Sequence, residues 1–323
     1  MGMHHMPALV LMTYAGICSH AQAGNASIEL SGVVSVPVLV ETKSGELAYD
    51  LSGSDFLIKD NGLKQRTTLN GAVERKPLSL VLVIQTGHGG AAKLQTTTHV
   101  NGLLDTALAG PDDQIAIIGF DGRPKVLQQF TSDSGEITPT LVSIAAGDSG
   151  AALFDGMHLA LGLLQAEPKS NRKMIVLVSG EHDHGSNASD IGSLIRDVSA
   201  SDVSVYSLCF RAGRKSLLEK LGSLNPMAVM SNAVQENAAE ALAQMTGGEF
   251  YRFDSKKQFE DRGIEIASHI NNRYELSFHP TDPEPGFHSL QVEVNDSRMN
   301  VIAARSGYWV PDPARREDQG IEK

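Results

Sequence analysis

The chain has 323 residues, of which 41% are hydrophobic and 20% are charged, and its formal net charge is -11 at pH 7. This length is enough for two domains with buried cores. Because the charge is strongly negative and the sequence has no basic tract, nucleic acids and anionic membranes are unfavourable partners. No segment approaches the roughly 20 consecutive apolar residues of a membrane-spanning helix.

The first residues have the pattern of a secretion signal. An apolar stretch at residues 7–18 precedes Ala21-Gln22-Ala23, which is a small-x-small cleavage motif. We therefore predict a cleaved signal at residues 1–23 and a secreted or periplasmic mature protein. Cleavage would remove Cys18 and leave Cys209 without a second cysteine, so no intramolecular disulfide is expected.

Residues 26–76 have a β-strand pattern. The sequence VVSVPVLVE alternates, and FLIKDNGLKQRTT predicts a hairpin with a type I′ turn at Asn61-Gly62. About three strands cannot bury a core alone, so these strands need partners elsewhere in the chain.

Strands and helices alternate through residues 77–270. A continuous apolar strand, LSLVLVIQ, leads into the glycine-rich sequence TGHGG and then into a helix. The strands predicted at 113–120 and 125–130 are separated by too few residues to contain a helix, which predicts an antiparallel hairpin. We therefore predict a doubly wound, mostly parallel six-stranded sheet with one antiparallel edge hairpin. Its strands are predicted at 78–85, 113–120, 125–130, 173–179, 203–210 and 249–253, and its later helices at 136–146, 152–165, 190–198, 238–245 and 256–269.

The alternation of apolar and polar residues typical of β-strands returns after residue 270, in RYELSFHP, FHSLQVEV and NVIAARSGYWV. These segments are the natural partners of the first strands. The predicted architecture is therefore a discontinuous β-sandwich, made of residues 26–76 and 271–311, into which the α/β domain at 77–270 is inserted. Residues 312–323 are predicted to be a disordered tail.

This order of elements resembles the von Willebrand factor type A (VWA) domain, a Rossmann-like α/β fold. The flanking sequences SVPVLVETKSGELAYDLSGSDFLIKDNGLKQ, NNRYELSFHP and VIAARSGYWVP are similar to the bacterial subfamily of VWFA-related acidobacterial proteins. The resemblance covers about residues 35–311. It implies an adhesion-type binding module rather than an enzyme, with a protein partner in the cell envelope or outside the cell.

Members of this family usually bind a divalent cation through three loops at one edge of the sheet. The first loop of the family carries Asp-x-Ser-x-Ser, and the matching positions here are Gln85, Gly87 and Gly89. The family's threonine is replaced by Ala151, and its aspartate by Gly180. Mg²⁺ prefers carboxylate, hydroxyl and water oxygens, and among these positions only Gln85 keeps a side-chain oxygen. We therefore predict a degenerate metal-ion-dependent adhesion site and no cofactor.

Three histidines offer a different interpretation. His88, His182 and His184, together with Glu181 and Asp183, lie on two loops that the fold should bring to the same edge. Imidazole and carboxylate groups suit Zn²⁺ or Ni²⁺, but the sequence has no recognised spacing such as HExxH. Solvated loop histidines are the preferred interpretation, and a transition-metal-dependent binder or hydrolase is the alternative.

A second alternative is a nucleotide-binding enzyme. Gly87-x-Gly89-x-x-Ala92 fits a relaxed dinucleotide fingerprint, with Asp121 at the end of the next strand. The predicted hairpin after Asp121 and the predicted export oppose it, and a P-loop is excluded because no Gly-Lys-Ser/Thr follows. The sequence Gly147-Asp148-Ser149-Gly150 resembles the nucleophile region of trypsin-like proteases, but that fold is all β, and the start of a helix explains Ser149.

The connection at 211–237 is long for an α/β loop and contains Met227 and Met230. It begins at the same side of the sheet as the three site loops and is a candidate extension of the binding face, because methionine-containing surfaces adapt to several partners.

Overall fold

The computed structural model describes residues 32–70, 76–88, 90, 100–210 and 226–312. The described strands form a six-stranded sheet and two four-stranded sheets. The strands are β1 (Val34–Thr42), β2 (Phe56–Asp60), β3 (Leu63–Gln65), β4 (Thr68–Leu69), β5 (Leu78–Gln85), β6 (Gln114–Phe120), β7 (Pro124–Thr131), β8 (Arg172–Ser179), β9 (Val203–Cys209), β10 (Phe250–Arg252), β11 (Tyr274–Phe278), β12 (Gly286–Val294), β13 (Met299–Ala304) and β14 (Gly307–Val310). The helices are α1 (Asn101–Ala107), α2 (Ser134–Ser143), α3 (Leu153–Ala166), α4 (Ile191–Ala200), α5 (Pro226–Glu236), α6 (Ala238–Thr246) and α7 (Lys256–Asn271).

The six-stranded sheet has the order β10-β9-β8-β5-β6-β7. All neighbouring pairs are parallel except β6 and β7, which form the antiparallel hairpin at one edge. Every residue of β5 is buried, because helices cover both faces of the sheet. Helices α3, α4 and α6 pack on one face, and α1, α2 and α7 pack on the other. The predicted fold class is confirmed.

The two ends of the chain pair with each other. Strand β1 lies between β11 and β13 in one sheet, and β2 pairs with β12 in the other. The two sheets enclose an apolar core that includes Val36, Ile58 and Leu276, all fully buried. The turn between β2 and β3 has positive φ at Asn61 (46°) and Gly62 (84°), as the predicted type I′ turn requires.

Most predicted elements lie within about two residues of their observed limits, and two differ more. The helix predicted at 136–146 begins earlier, at Ser134, because the side chain of Asp133 accepts a hydrogen bond from Gly135 N (2.7 Å) and caps it. The segment NVIAARSGYWV was predicted as one β segment, but it forms two strands in different sheets, β13 and β14. The chain changes sheets at Arg305.

We define the junction as the place where the chain passes between the α/β part and the sandwich, marked by Glu249, His269, Arg273 and Arg305. The buried guanidinium of Arg305 donates to the carbonyls of Ser199 (2.5 Å) and Ser201 (2.9 Å), at the C-terminal end of α4. A cation is favourable there because the helix dipole is negative at that end.

A second group of charges fills the junction. Glu249 accepts hydrogen bonds from His269 Nδ1 (2.9 Å) and Arg273 Nη2 (3.0 Å), and all three side chains are buried. Arg273 also donates to the carbonyl of Gly247. Its guanidinium lies over the ring of Tyr206, 4.9 Å from the ring centroid. The junction is therefore held by buried ion pairs.

Only part of the long connection at 211–237 lies in the described residues, as helix α5. Met227 and Met230 of this helix are partly buried against the core that α3, α4 and α6 form. Both side chains remain partly exposed, and residues 211–225 lie outside the described part of the chain, so the hypothesis that this connection extends the binding face stays a prediction.

The predicted signal at 1–23 and residues 313–323 of the predicted tail lie outside the described residues, so both stay predictions. None of the helices in the described ranges is long and apolar enough to span a membrane.

Candidate functional site

Three loops meet at the edge of the six-stranded sheet where its parallel strands end, which we call the carboxyl edge. The first loop (86–90) follows β5, the second (144–152) precedes α3, and the third (180–190) follows β8. The first and second loops are joined by hydrogen bonds from Gly147 N to Thr86 O (3.0 Å) and from His88 N to Asp148 O (3.1 Å). The second and third are joined by a pair of 2.7 Å backbone hydrogen bonds between Ala151 and His184.

Gln85 connects the first loop to the third. Its side chain is 3% exposed. The amide Nε2 donates to Gly87 O (3.1 Å), and Oε1 accepts from Gly180 N (2.8 Å). Three of the predicted site positions are therefore linked through one buried carboxamide, which we call the Gln85 bridge. Its only side-chain oxygen is already bonded within the protein.

Gly87 has no room for a side chain. A Cβ atom built on it would lie 2.1 Å from Gly150 O and 2.7 Å from Asp148 O. These obstructing atoms are backbone, so they cannot rotate away as a flexible side chain would. The sequence predicts that a cation ligand is missing at Gly87, and in the structure the second loop occupies the space that a side chain there would need.

Other glycines allow the same close packing. A Cβ on Gly147 would lie 2.5 Å from Asp121 Cβ, and one on Gly150 would lie 2.4 Å from Gly122 Cα. The loops therefore approach each other at backbone distance.

The remaining predicted positions are Ala151, Gly180 and Gly89. Ala151 is fully buried under its backbone pairing with His184. A Cβ on Gly180 would meet Gln85 Oε1 at 3.5 Å, which is ordinary van der Waals contact, so this position could accept a side chain. Gly89, and Ala92 of the dinucleotide fingerprint, lie outside the described residues.

Asp121 and Asp148 hold the second loop in place, and sequence reasoning missed this role. Asp148 Oδ1 accepts from Gly122 N (2.8 Å) and Gly150 N (2.7 Å). Asp121 accepts from Arg123 N (3.0 Å) and Asp148 N (3.4 Å). Burial alone would raise the pKa of Asp121, but these N–H groups and the charge of Lys125 outweigh it and lower the pKa. The spacing Asp-Ser-Gly, typical of an Asx turn, was the available signal.

The same contacts weaken the nucleotide alternative. In a dinucleotide site the acidic residue after the second strand binds a ribose hydroxyl. Both oxygens of Asp121 already accept backbone hydrogen bonds from its own hairpin turn and from the second loop.

The carboxylate of Asp183 is directed to helix α3. Its Oδ1 accepts from Phe154 N (3.1 Å) and Ser186 Oγ (2.5 Å), and its Oδ2 accepts from Ser186 N (3.2 Å). A carboxylate at a helix N-terminus is stabilised by the helix dipole and by the unpaired N–H groups. Asp183 therefore anchors the third loop.

The three histidines meet at the carboxyl edge. The ring centroids of His88 and His184 are 4.3 Å apart, with the ring planes inclined by 37°. The ring of His182 stands edge-on to His184 at 6.2 Å. His88 and His184 are exposed, and the His182 side chain is 43% exposed. Within the described part of the chain, no three His, Cys, Asp or Glu side chains are already arranged to hold a metal ion.

The predicted loss of the Mg²⁺ site concerns the positions that match the family's cation ligands. Gln85 supplies one neutral amide oxygen, which accepts a hydrogen bond from Gly180 N. At Gly87 the second loop packs directly against the backbone. An octahedral Mg²⁺ needs several charged or hydroxyl oxygens with little displacement from ideal geometry.

Comparison with known proteins gives a family match and several fold-level likenesses. Residues 83–182 match the von Willebrand factor type A domain. The fold is similar to that of a von Willebrand factor type A protein from Catenulispora acidiphila, with 10% identity over 81% of this chain and 75% of that chain and a TM-score of 0.47. It is also similar to the vWF domain of the type V pili tip protein Mfa5 from Porphyromonas gingivalis, with 11% identity over 61% of this chain and 97% of that chain and a TM-score of 0.41.

An aerotolerance-related membrane protein from Bacteroides fragilis is 16% identical over 60% of this chain and 98% of that chain, with a TM-score of 0.43. No curated relative matches the sequence. At these identities the structural likeness concerns the fold alone. The matched segment runs from strand β5 to the third loop, so the similarity to the von Willebrand factor type A domain covers the central part of the six-stranded sheet.

Proposed function

We propose that this chain is an exported, non-enzymatic protein-binding module whose carboxyl edge recognises its partner without the Mg²⁺ ion that the family usually binds. The finer resemblance to the VWFA-related acidobacterial proteins belongs to this proposal, as does the predicted signal at residues 1–23. The expected partner is a protein of the cell envelope or of the surroundings of the cell.

The Gln85 bridge is the observation that carries the proposal. A cation bound between the three loops would hold them together through its ligands. Here the first and third loops are held by the Gln85 carboxamide, and the second loop is held by Asp148 and by its own backbone. The loops therefore have a defined arrangement without an ion.

A fixed edge of this kind suits recognition by shape. Loops on a rigid sheet commonly carry binding residues, and a surface that is already ordered loses less entropy when a partner binds. His88, Ser149 and His184 are exposed on this edge and would contact a partner first.

Site-specific cross-linking tests the proposal. A photo-reactive residue is introduced at Ser149, on the carboxyl edge, or at Ser170, which is equally exposed at the opposite end of the sheet just before β8. Cell-envelope extract is then added with excess Mg²⁺ or with excess EDTA. We expect one discrete cross-linked product from position 149, of equal yield in both conditions, and none from position 170.

Two results would contradict the proposal. Loss of the product in EDTA would mean that a cation is needed. Equal cross-linking from position 170 would mean that the carboxyl edge is not the binding surface.

A further inference from the structure

Three histidines lie close together on the carboxyl edge. The family's cation site does not account for this cluster, because none of the three occupies a position of that site. His88 comes from the first loop, and His182 and His184 come from the third. The chain therefore places two exposed imidazole rings in contact, and a third beside them, from segments 94 to 96 residues apart in the sequence.

The spacing of His88 and His184 is that of two ligands of one ion. A transition metal binds imidazole nitrogen at about 2.0–2.1 Å, so two imidazoles on one ion have ring centroids roughly 4.5 Å apart at the 90° angle of an octahedral ion and roughly 5 Å apart at the tetrahedral angle of Zn²⁺. The observed separation is 4.3 Å. The rings would therefore move apart by roughly 1 Å or less to bind one ion.

A hydrogen bond fixes the tautomer of the His88 ring and leaves one ring nitrogen able to bind a metal. Its Nδ1 is 3.1 Å from Ser149 O, and because a carbonyl oxygen only accepts hydrogen bonds, Nδ1 must carry the proton. The unprotonated nitrogen is then Nε2. A hydrogen bond from the second imidazole nitrogen to a carbonyl is the usual support of a metal-binding histidine, since it fixes both the tautomer and the ring orientation.

The backbone supports the same arrangement. His88 has φ 45°, in the left-handed region that non-glycine residues seldom adopt. His184 is fixed by its two 2.7 Å hydrogen bonds to Ala151. Both rings are therefore carried by backbone that is ordered before any ligand arrives.

We propose that His88 and His184 bind a divalent transition-metal ion, Zn²⁺ or Ni²⁺, at an exposed site on the carboxyl edge, with water completing the coordination. His182, whose side chain is 43% exposed and whose Nε2 lies 4.0 Å from Glu181 Oε2, is the nearest candidate for a third ligand. The carboxylate of Asp183 is not a ligand, because it is bonded to helix α3 and to Ser186. The net charge of -11 adds a long-range attraction for cations.

This site shares His88 and His184 with the proposed protein-binding surface, but the two proposals are tested by separate measurements, Zn²⁺ calorimetry on the isolated chain and cross-linking from position 149. Failure of the metal experiment would leave the cross-linking experiment unaffected, and the reverse is also true.

Calorimetric titration of the full chain with ZnCl₂ tests the proposal. We expect saturable binding of one ion per chain at this site. His88→Asn and His184→Ala should each weaken binding by about tenfold or more, because each removes a ligand. Asparagine is chosen at position 88 because it tolerates a positive φ and so preserves the backbone. His279→Ala, at an exposed histidine on the sandwich, is the control and should leave the affinity unchanged.

Nitrogen NMR of the imidazole rings gives a readout that a structural role would not move. Zn²⁺ should shift the Nε2 resonance of His88 while Nδ1 stays protonated. The affinity should also fall at acidic pH, because protons compete with the metal for the imidazole nitrogens.

The proposal is overturned if no saturable binding is seen. It is also overturned if His88→Asn or His184→Ala, with an unchanged melting temperature, keeps wild-type affinity. That second result would place the bound ion elsewhere, for example at His4 and His5.

Discussion

The carboxyl edge and the junction both contain many polar groups, but they are held together by different interactions. At the carboxyl edge the loops are joined by backbone hydrogen bonds, by the neutral Gln85 bridge, by aspartate carboxylates that accept from backbone N–H groups, and by glycines that allow close approach. At the junction the charged side chains of Glu249, Arg273 and Arg305 are buried and paired. The carboxyl edge therefore depends mainly on backbone contacts and close packing, whereas the junction depends on buried pairs of opposite charge.

The largest effect is expected at the junction, for Arg273→Ala. The change leaves the buried carboxylate of Glu249 with one partner fewer, and breaking a buried ion pair typically costs about 3–5 kcal/mol of unfolding free energy. Urea denaturation measures it. The control is Lys59→Ala, which removes an exposed pair with Glu293 on the sandwich and should cost about 1 kcal/mol or less. Equal losses in the two variants would show that the junction charges contribute no more than surface charges.

The next effect is expected at the carboxyl edge, for Gly87→Ala. The new methyl group would meet two backbone carbonyls of the second loop, so we expect a loss of about 3 kcal/mol, at the upper end of the usual cost of overpacking. The control is Gly162→Ala on α3, where a Cβ meets nothing within 4 Å, and which should stabilise the protein by about 0.5–1 kcal/mol.

This result bears on restoration of the family's cation site. A serine at position 87 meets the same carbonyl oxygens, so combined reversion of all five positions should destabilise the protein before it creates an Mg²⁺ site. A stable Gly87→Ser variant with micromolar Mg²⁺ affinity in calorimetry would contradict our interpretation of the edge.

A smaller effect is expected for Gln85→Ala. Gly87 O would keep a hydrogen bond from Gly90 N (2.8 Å), but Gly180 N would lose its acceptor in a buried position. Leaving one buried donor unpaired predicts a loss of about 2 kcal/mol. Hydrogen exchange at Gly180 should also become faster, which distinguishes loss of the bridge from general destabilisation. The exposed Gln165→Ala variant is the control and should change stability by about 0.5 kcal/mol or less.

The contrast between these regions also shows which structural features can be predicted from the sequence and which cannot. The strands, the hairpins and the meeting of the chain ends follow from local periodicity and turn chemistry, which need only neighbouring residues. The need for a glycine at position 87 does not follow from the local sequence. It depends on the close approach of Gly150, sixty-three residues later in the chain. The role of Arg305 likewise depends on carbonyl groups at the end of α4, which no local pattern indicates. The position of Asp183 between two histidines suggests a shared metal site, but its carboxylate accepts hydrogen bonds from Phe154 N and Ser186 Oγ instead.

The smallest effect concerns the pH dependence of the junction, through Glu249. Burial alone would raise the pKa of this carboxyl, but the hydrogen bond from His269 and the charge of Arg273 outweigh it, and the pKa is lowered from its usual 4.5. A lowered pKa means that the unfolded chain binds more protons than the folded chain in the range between the two values. The contribution of Glu249 to stability is therefore fully present above about pH 4.5 and is lost as the pH falls below it. The free energy of unfolding of Glu249→Gln should lie below that of the wild type at about pH 6, and the gap should narrow as the pH falls towards about 3. Glu293→Gln, at a surface carboxylate, controls for general acid effects and should show a small gap at every pH. A gap for Glu249→Gln that stays constant with pH would mean that this side chain acts at the junction through packing alone and not through its charge.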